Sequence, residues 1–233
     1  MYDVFFLSYD EPNADENWLR LKSFAPMATR IHGVPGILYA HKAAAEKSKT
    51  DAFFVVDGDA WLMPSWSFSG EEFDELEPYD GKTPADCVIV WKSLNPYNGL
   101  EYGYGGVKLM SKKAVLAADT NVDVATSVSE CFMSVDTVAC ETRFGSTAWH
   151  AWRGAYRECA KLASSTVGTM NEEQKSWLKI WTTVASGPFK DSILAGANAG
   201  KDYGLAHKGN KEAISMINDY NWLRDRYDDA FRT

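Results

Sequence analysis

The chain has 233 residues, of which 45% are hydrophobic and 13% aromatic. This length and composition predict a globular protein with a sizeable core, built as one large domain or as a domain with a small appendage. The net charge of −8 and the pI near 5.1 argue against a general nucleic-acid coat, but they leave room for a local basic groove. No apolar run approaches the ~20 residues that span a bilayer, and the first residues predict a strand, not a signal peptide. We therefore expect a cytoplasmic location without membrane attachment.

Strand and helix patterns alternate along the first sixty residues. Apolar runs predict strands at 3–8, 29–34 and 53–56, and helical patterns lie between them, one around Trp18 and one at 36–48. This alternation predicts parallel β-α-β units. The expected fold is therefore α/β, with a mixed, mostly parallel sheet flanked by helices.

In the second half of the chain, the predicted strands give way to predicted helices. Further strands are expected at 66–68, 86–91 and 134–140. Helices are expected from 147, at 172–185 and at 211–227, whereas the four glycines within 196–209 predict a loop. We find no repeat and no linker, so we predict a single domain over 1–233 with a helical C-terminal part.

The four cysteines show neither paired metal-ligand spacing nor a Cys-x-x-Cys pattern. They are Cys87, Cys131, Cys140 and Cys159. We expect reduced, mostly buried thiols.

The strand at 53–56 ends in Asp57-Gly58-Asp59, where an α/β sheet commonly binds ligands. Residues i and i+2 of an extended segment point the same way, so the two carboxylates repel each other unless a cation lies between them. A hard divalent ion that also holds a substrate phosphate would satisfy both. The simpler alternative is that Asp-Gly only forms a turn.

The loop after the first strand offers hydrogen-bonding groups for a nucleotide. Its residues Ser8, Tyr9, Asp10 and Glu11 are candidates for binding a base and a ribose. A phosphate-cradling Gly-x-x-x-x-Gly-Lys loop is missing from the sequence, and the glycines at 103–106 have the wrong spacing for a dinucleotide site. Metal coordination would therefore replace a phosphate-binding loop.

Several segments resemble known glycosyltransferases. The β-α-β start with Asp-x-Asp at the end of a buried strand resembles the GT-A class of nucleotide-sugar-dependent enzymes. A family of small glycosyltransferases encoded by tailed phages is also similar in five segments, which are 7–13, 55–59, 98–109, 152–159 and 217–223. The Tyr-Gly-Tyr-Gly-Gly and Trp-Arg segments are more particular to that family than the Asp-x-Asp.

The resemblance implies a GT-A (Rossmann-like) fold, a UDP-sugar donor, and Mn²⁺ or Mg²⁺ held by Asp57 and Asp59. It also implies a hydroxymethylated pyrimidine in phage DNA as acceptor, in the cytoplasm of the host cell. Residues 1–110 would then form the donor and metal half, and 111–233 the acceptor half. GT-A enzymes often add a late histidine as metal ligand, and His207 is the candidate here, with a surface-loop histidine as the alternative. An imidazole ligand would favour Mn²⁺.

Other charged residues are candidates for the diphosphate. His41 and Lys42 could approach it from the helix at 36–48, or they could lie on a solvated helix face. Arg153 and Arg157 form a basic stripe with Lys161 that would meet phosphate of the donor or of DNA. The alternative is again a solvated face, with Glu158 paired to Lys161.

An inverting transfer needs a carboxylate base near the acceptor hydroxyl, and Glu101, Asp136 and Glu158 are candidates. Tyr102 and Tyr104, flanked by glycines, suit a wall for a sugar or a flipped base, or they could be ordinary core aromatics. Rival hypotheses are a glycan or small-molecule acceptor, a nucleotidyltransferase, and a nucleotide-sugar or DNA-binding module without turnover. The sequence leaves the oligomeric state open.

Overall fold

A computed structural model describes residues 2–68, 81–103, 105–119, 124–129, 131–165 and 171–232. They group into two compact units. The first comprises the described residues within Met1–Asn95, Glu101–Thr120 and Val124–Arg143, and the second those within Pro96–Leu100 and Phe144–Thr233. A single domain over 1–233, with functional halves at 1–110 and 111–233, stays a prediction.

The first unit is built on one sheet. Its strands in chain order are β1 (Asp3–Ser8), β2 (Thr29–His32), β3 (Ala52–Asp57), β4 (Ala60–Leu62), β5 (Val88–Leu94), β6 (Glu101–Tyr102), β7 (Val107–Ser111) and β8 (Phe132–Thr142). They lie in the order β2-β1-β3-β7-β5-β8-β4, with β6 on β5. β1, β2, β3, β5 and β8 run in one direction and β4, β6 and β7 in the other. The predicted mixed sheet with most strands parallel is confirmed.

Helices flank this sheet and form the second unit. The first unit contains α1 (Ala14–Phe24), α2 (Ile37–Lys47), α3 (Lys112–Ala117) and α4 (Val124–Ser127). The second contains α5 (Ala148–Ser164), α6 (Glu172–Thr183), α7 (Lys190–Ala206), α8 (Lys211–Ser215) and α9 (Tyr220–Phe231). In the described part of the chain, none of the helices has the length and apolar character needed to cross a membrane.

The central strands are apolar throughout because both of their faces are buried. Phe6 and Phe54 lie in one core cluster with Leu21 of α1. Their neighbours Phe5 and Phe53 point to the other face, into a second cluster that includes several side chains of α2. Alternation along a strand thus produces two cores, one on each face of the sheet.

Two predicted elements differ from the structure: one strand is not formed, and one helix is interrupted. Residues 66–68 form no strand, and the strand in this region is β4. Trp66 is instead a buried side chain that packs edge-on against Trp91, with ring centroids 5.2 Å apart. The predicted helix at 211–227 is interrupted at Asp219, which has an extended backbone and caps the N-terminus of α9. Its Oδ1 accepts hydrogen bonds from the backbone N–H groups of Asn221 and Trp222.

The prediction of four reduced cysteines is also wrong. Cys87 and Cys131 form a disulfide, with their Cα atoms 4.6 Å apart. They precede β5 and β8, and these neighbouring parallel strands pair Val88 with Phe132, so the two cysteines lie side by side. Cys140 and Cys159 are free and buried.

The largest departure from the sequence analysis is α7, which occupies most of the predicted glycine loop. Three of its glycines face the backbone carbonyl groups of one stripe of α5, and a Cβ built on any of them would clash there: Gly196 against Trp152, Gly200 against Tyr156 and Gly204 against Ala160. Glycine at every fourth residue lets two helices approach backbone to backbone. The same residues that predict a loop therefore create a helix–helix contact.

We expect Gly200→Ala to destabilise the protein by about 2 kcal/mol or more, because the added methyl group must displace the backbone of α5. At an exposed helix position the same change stabilises by roughly 1 kcal/mol, so the sign of the effect is diagnostic. Urea unfolding measures it. Leu205→Ala, at an exposed position of the same helix, should change the free energy of unfolding by less than about 0.5 kcal/mol. A Gly200→Ala protein as stable as the wild type would contradict the close approach.

Candidate active site at the carboxyl edge of the sheet

Three parallel strands end at one edge of the first unit. β1 pairs with β2 so that Ser8 lies opposite His32, and it pairs with β3 so that Leu7 lies opposite Asp57. The loop after β1 and the turn after β3 therefore lie next to each other. This is the edge at which open α/β sheets bind ligands.

The turn at Asp57-Gly58-Asp59 is held on two sides. Asn17 of α1 is 1% exposed and donates from Nδ2 to the carbonyl oxygen of Gly58 at 2.8 Å. On the other side, the backbone N–H of Arg143 donates to the carbonyl oxygen of Asp59 at 2.8 Å. The two carboxylates thus project from a backbone that neighbouring elements fix.

Glu11 reaches back to this turn from the loop after β1. Its Oε2 accepts a hydrogen bond of 2.7 Å from the backbone N–H of Tyr9. A Cβ added to Gly58 would lie 2.7 Å from the same oxygen, so any side chain at this position would push the carboxylate of Glu11 away from the turn. Glu11 thus lies against the turn, and its contact with a base and ribose stays a prediction.

The remaining loop residues differ in accessibility. Ser8 is buried, and its Oγ accepts from Nε of Arg30 at 2.9 Å and contacts Nδ1 of His32 at 3.0 Å. Tyr9 and Asp10 are exposed. The loop can therefore present Tyr9 and Asp10 to a ligand, while Ser8 braces β1 against β2.

Lys108 is the residue that the sequence analysis missed. Its Nζ lies 2.7 Å from Oδ1 of Asp57 and 2.5 Å from the carbonyl oxygen of Gly105. The Lys108 side chain is 6% exposed and that of Asp57 29%. A lysine within the apolar run of β7 is the signal that could have revealed it, because a buried ammonium group requires a partner.

Cys140 is buried beneath the same edge of the sheet. The pKa of its thiol is raised to about 12, chiefly by burial and to a smaller extent by the charges of Asp59 and Asp57, while the hydrogen bond with Ser93 acts in the opposite direction. Cys140 Sγ lies 3.0 Å from Oγ of Ser93. The thiol is therefore protonated and unreactive at neutral pH.

The donor set at the turn fits a divalent metal only together with a ligand from the substrate. Among the described residues, no three His, Cys, Asp or Glu side chains come together as a metal cluster. Mg²⁺ commonly uses one or two carboxylates plus substrate phosphates, and Asp57 and Asp59 supply that number. The ion pair with Lys108 uses only Oδ1 of Asp57.

The structure puts the two predicted diphosphate residues of α2 in different surroundings. His41 is 1% exposed, and its Nδ1 donates to the carbonyl oxygen of Ile37 at 2.7 Å. The alternative of a solvated helix face is therefore wrong for His41, while Lys42 is partly exposed. Their approach to a diphosphate stays a prediction.

The basic stripe of α5 belongs to the second unit and packs against residues 217–220. Arg153 is buried, with its guanidinium 4.2 Å from the ring centroid of Tyr220. Arg157 donates to the carbonyl oxygen of Ile217 at 3.0 Å and to Oδ1 of Asn218 at 2.8 Å. Arg153 therefore joins α5 to the first residue of α9, and Arg157 joins α5 to the segment before α9.

The other candidates in the second unit also have close neighbours. Glu158 forms the anticipated ion pair with Lys161 at 3.0 Å. His207 follows α7 directly, and its ring lies 4.4 Å from that of Tyr203. Base and metal-ligand roles for these residues stay predictions.

In the first unit, the structure places Glu101 on β6, where it is exposed. The side chain of Asp136, on β8, is 95% exposed and lies 2.9 Å from Nζ of Lys92. Tyr102 is buried, whereas Tyr104 lies outside the described residues. Both carboxylates are accessible, but no described contact joins either of them to Asp57 or Asp59.

Comparisons with known proteins give low similarity. No family model and no curated protein matches the chain. The mannosyltransferase PcManGT from Pyrobaculum calidifontis, in complex with GDP-Man and Mn²⁺, is 9% identical over 99% of this chain and 87% of its own, with a TM-score of 0.47. HddC from Yersinia pseudotuberculosis, complexed with GMP-PN, is 13% identical over 60% of this chain and 92% of its own, with a TM-score of 0.40. A glycosyltransferase involved in the glycosylation of the major capsid of PBCV-1 is 13% identical over 57% of this chain and 82% of its own, with a TM-score of 0.33. Values this low carry no argument about the activity of this chain.

The raised pKa of Cys140 predicts a loss of stability in alkaline solution. The ordinary thiol value is 9.0, so above that pH the unfolded chain loses its proton while the folded chain keeps it up to about pH 12. The stabilisation is complete below pH 9.0 and falls by up to about 1.4 kcal/mol per pH unit above it. Cys140→Ala should therefore show a shallower decline of the free energy of unfolding between about pH 8 and about pH 10.

The control for lost packing is Val56→Ala, which removes buried apolar atoms but no titrating group. It should lower stability at every pH and keep the wild-type slope. Equal slopes for Cys140→Ala and the wild type, measured by urea unfolding across this range, would contradict the burial effect.

Proposed function

We propose that the protein is a metal-dependent glycosyltransferase of GT-A type that uses a nucleotide-sugar donor, specifically a UDP-sugar. The observation that carries this proposal is the convergence of two elements at the carboxyl edge of the parallel strands. The turn with Asp57 and Asp59 is clamped there by Asn17 and Arg143, beside the accessible loop at Tyr9 and Asp10. Such an edge suits a nucleotide whose diphosphate is bound through a metal ion.

The residues of the site would have the following roles. The loop of Ser8, Tyr9, Asp10 and Glu11 would contact the base and ribose, and Glu11 also supports the turn. Asp59 and Asp57 would hold Mn²⁺ or Mg²⁺, which as a Lewis acid stabilises the departing diphosphate. We include His41, Lys42, Arg153 and Arg157 as diphosphate candidates and His207 as an additional metal-ligand candidate, each to be tested by substitution.

For the acceptor we propose a hydroxymethylated pyrimidine in DNA, with Glu158, Asp136 or Glu101 as the base that accepts the proton of the hydroxyl group. The sequence resemblance supports this assignment. The net charge of −8 counts against it, because affinity for duplex DNA depends strongly on phosphate neutralisation. A glycan or a small molecule is the alternative acceptor.

One observation favours nucleotidyl transfer as a second candidate function. The carboxylate of Glu11 packs against Gly58, which lies between Asp57 and Asp59 in the chain. The described residues hold no preformed group of three metal-ligating side chains, so two-metal chemistry would need the substrate to bring these carboxylates together. The products separate the two reactions, because nucleotidyl transfer releases pyrophosphate and glycosyl transfer releases a nucleoside diphosphate.

We expect Asp59→Asn to lower metal-dependent release of nucleoside diphosphate from the donor by about 100-fold or more, because losing a metal ligand costs several kcal/mol of charge stabilisation. The fold should persist, since the backbone of the turn is held by Asn17 and Arg143. Asp202→Asn, on an exposed side chain of α7, is the matched control and should retain full activity. Turnover by Asp59→Asn at the wild-type rate would exclude Asp59 as metal ligand.

Incubation of donor, Mn²⁺ and hydroxymethylated DNA should add the mass of one hexose to the modified nucleoside, measured by mass spectrometry after digestion. Unmodified DNA of the same sequence is the control and should gain nothing. Donor hydrolysis without any mass gain on DNA would exclude the DNA acceptor while retaining the donor site.

A further inference from the structure

Aromatic and cationic side chains meet in the second unit, where the end of α7 contacts α9. The guanidinium of Arg226 lies over the ring of Trp222, 4.0 Å from its centroid, and 5.1 Å from the ring centroid of Tyr203. The centroids of these two rings are themselves 5.1 Å apart. Arg226 is exposed and both rings are partly exposed. We call these three residues the Trp222 surface.

The helices present these side chains together. Trp222 and Arg226 are four residues apart on α9, so they share one helix face. Tyr203 lies in the last turn of α7, and its hydroxyl donates to a backbone carbonyl oxygen of α8 at 2.6 Å. This bond holds α8 against Tyr203, and the exposed Lys208 and Lys211 lie between the end of α7 and the start of α8. Two further cations therefore adjoin the Trp222 surface.

The positive charge at this surface is not compensated by ion pairs. In the described part of the chain, Arg226, Lys208 and Lys211 have no ion-pair partner, whereas the other arginine within α9 pairs with an aspartate one turn further on. With their acidic sequence neighbours Glu212 and Asp225, the group has three positive and two negative charges, a net +1 in a chain of net charge −8. An anionic ligand is therefore attracted here more than to the chain as a whole.

A buried hydroxyl group adjoins the same surface. Tyr156 of α5 is 2% exposed, and its ring lies 5.9 Å from that of Tyr203 and 6.2 Å from that of Trp222. Its hydroxyl has no hydrogen-bond partner among the described residues. Burial raises the pKa of Tyr156, and the positive charge of Arg226 acts in the opposite direction. Buried hydroxyl groups nearly always have a partner, so this one is a donor that a ligand can satisfy.

We propose that the Trp222 surface binds single-stranded DNA. Aromatic rings interleaved with cations suit a single strand, because any base can stack on a ring while the cations hold the phosphates. Arg226 offers in-plane N–H groups to a phosphate, and Lys208 and Lys211 extend the positive charge along the strand. An oxygen of the bound strand accepts from the hydroxyl of Tyr156.

This inference rests on the proposed function and deepens it, because it names residues that would hold the DNA acceptor. A base that receives a sugar must leave the stack, and a single strand offers it unstacked. A closed duplex hides the faces of its bases from the rings, and a neutral glycan would leave the cations without a partner. Charge and ring exposure together therefore favour the single strand.

The test is a fluorescence anisotropy titration of the full chain with a labelled oligothymidylate of about 12 nucleotides, without donor or metal. Arg226→Gln should weaken binding about tenfold, because a hydrogen-bonded phosphate contact is lost. The slope of log affinity against log salt, measured from about 50 to about 200 mM, should fall by about 0.7. Arg232→Gln is the matched control. It removes the same charge from an exposed residue that is paired with Asp229, and its affinity should stay within about twofold of the wild type.

Tyr156→Phe separates a binding role from a structural one. It removes only the buried hydroxyl, so its urea midpoint should equal or exceed that of the wild type, because an unpartnered polar group is lost. Its affinity for the oligonucleotide should nevertheless fall about fivefold, through the loss of one hydrogen bond. Unchanged affinity would exclude this hydroxyl as a ligand group.

Arg226→Gln that binds the oligonucleotide as tightly as Arg232→Gln would overturn the inference, and so would a wild type that does not bind it or binds it independently of salt. Should Arg226→Gln fold poorly, Lys208→Gln/Lys211→Gln at two exposed positions should weaken binding about tenfold, and unchanged affinity would be equally decisive. Binding of a neutral oligosaccharide in place of DNA would identify a glycan surface instead. Release of nucleoside diphosphate from the donor is measured separately, so a failure of this inference is distinguishable from a failure of the proposed function.

Discussion

Burial of β3 on both faces is the constraint on which the rest of the first unit depends. Its residues from Ala52 to Val56 are all buried, so Asp57 is the first position where the strand can carry a charge. A carboxylate beside an apolar core requires a positive partner, and Lys108 on the neighbouring β7 provides it. The adjacent carboxylates of Asp59 and Glu11 then lie at the end of the strand, where a ligand can reach them.

Much of the fold was predictable from local patterns, because packing against the two core clusters requires apolar residues at regular spacing along each strand and helix. β1, β3 and α2 lie within a residue or two of their predicted bounds. The glycine helix α7 was not predictable in this way, since glycine is a turn signal until a partner backbone is known. The disulfide was missed for a similar reason, because Cys87 and Cys131 become neighbours only through the pairing of β5 with β8.

The site likewise contains residues that could be predicted from local patterns and residues that depend on the tertiary fold. Asp57 and Asp59 could be singled out because they directly follow a buried strand, and the loop after β1 because parallel strands end together. Lys108 could not be paired with Asp57 from the sequence, since their contact depends on the antiparallel register between β3 and β7. The contact of Glu11 with Gly58 depends on how the loop folds back, which no local pattern specifies.

The contact between α5 and α7 has a consequence for how the second unit tolerates sequence change. Where backbones touch, the separation of the two helices is set by main-chain atoms, and side-chain repacking offers no relief. Gly196, Gly200 and Gly204 are therefore the positions at which α7 has almost no mutational freedom. Its opposite side, which includes the exposed Leu205, is free to vary without altering the spacing of the pair.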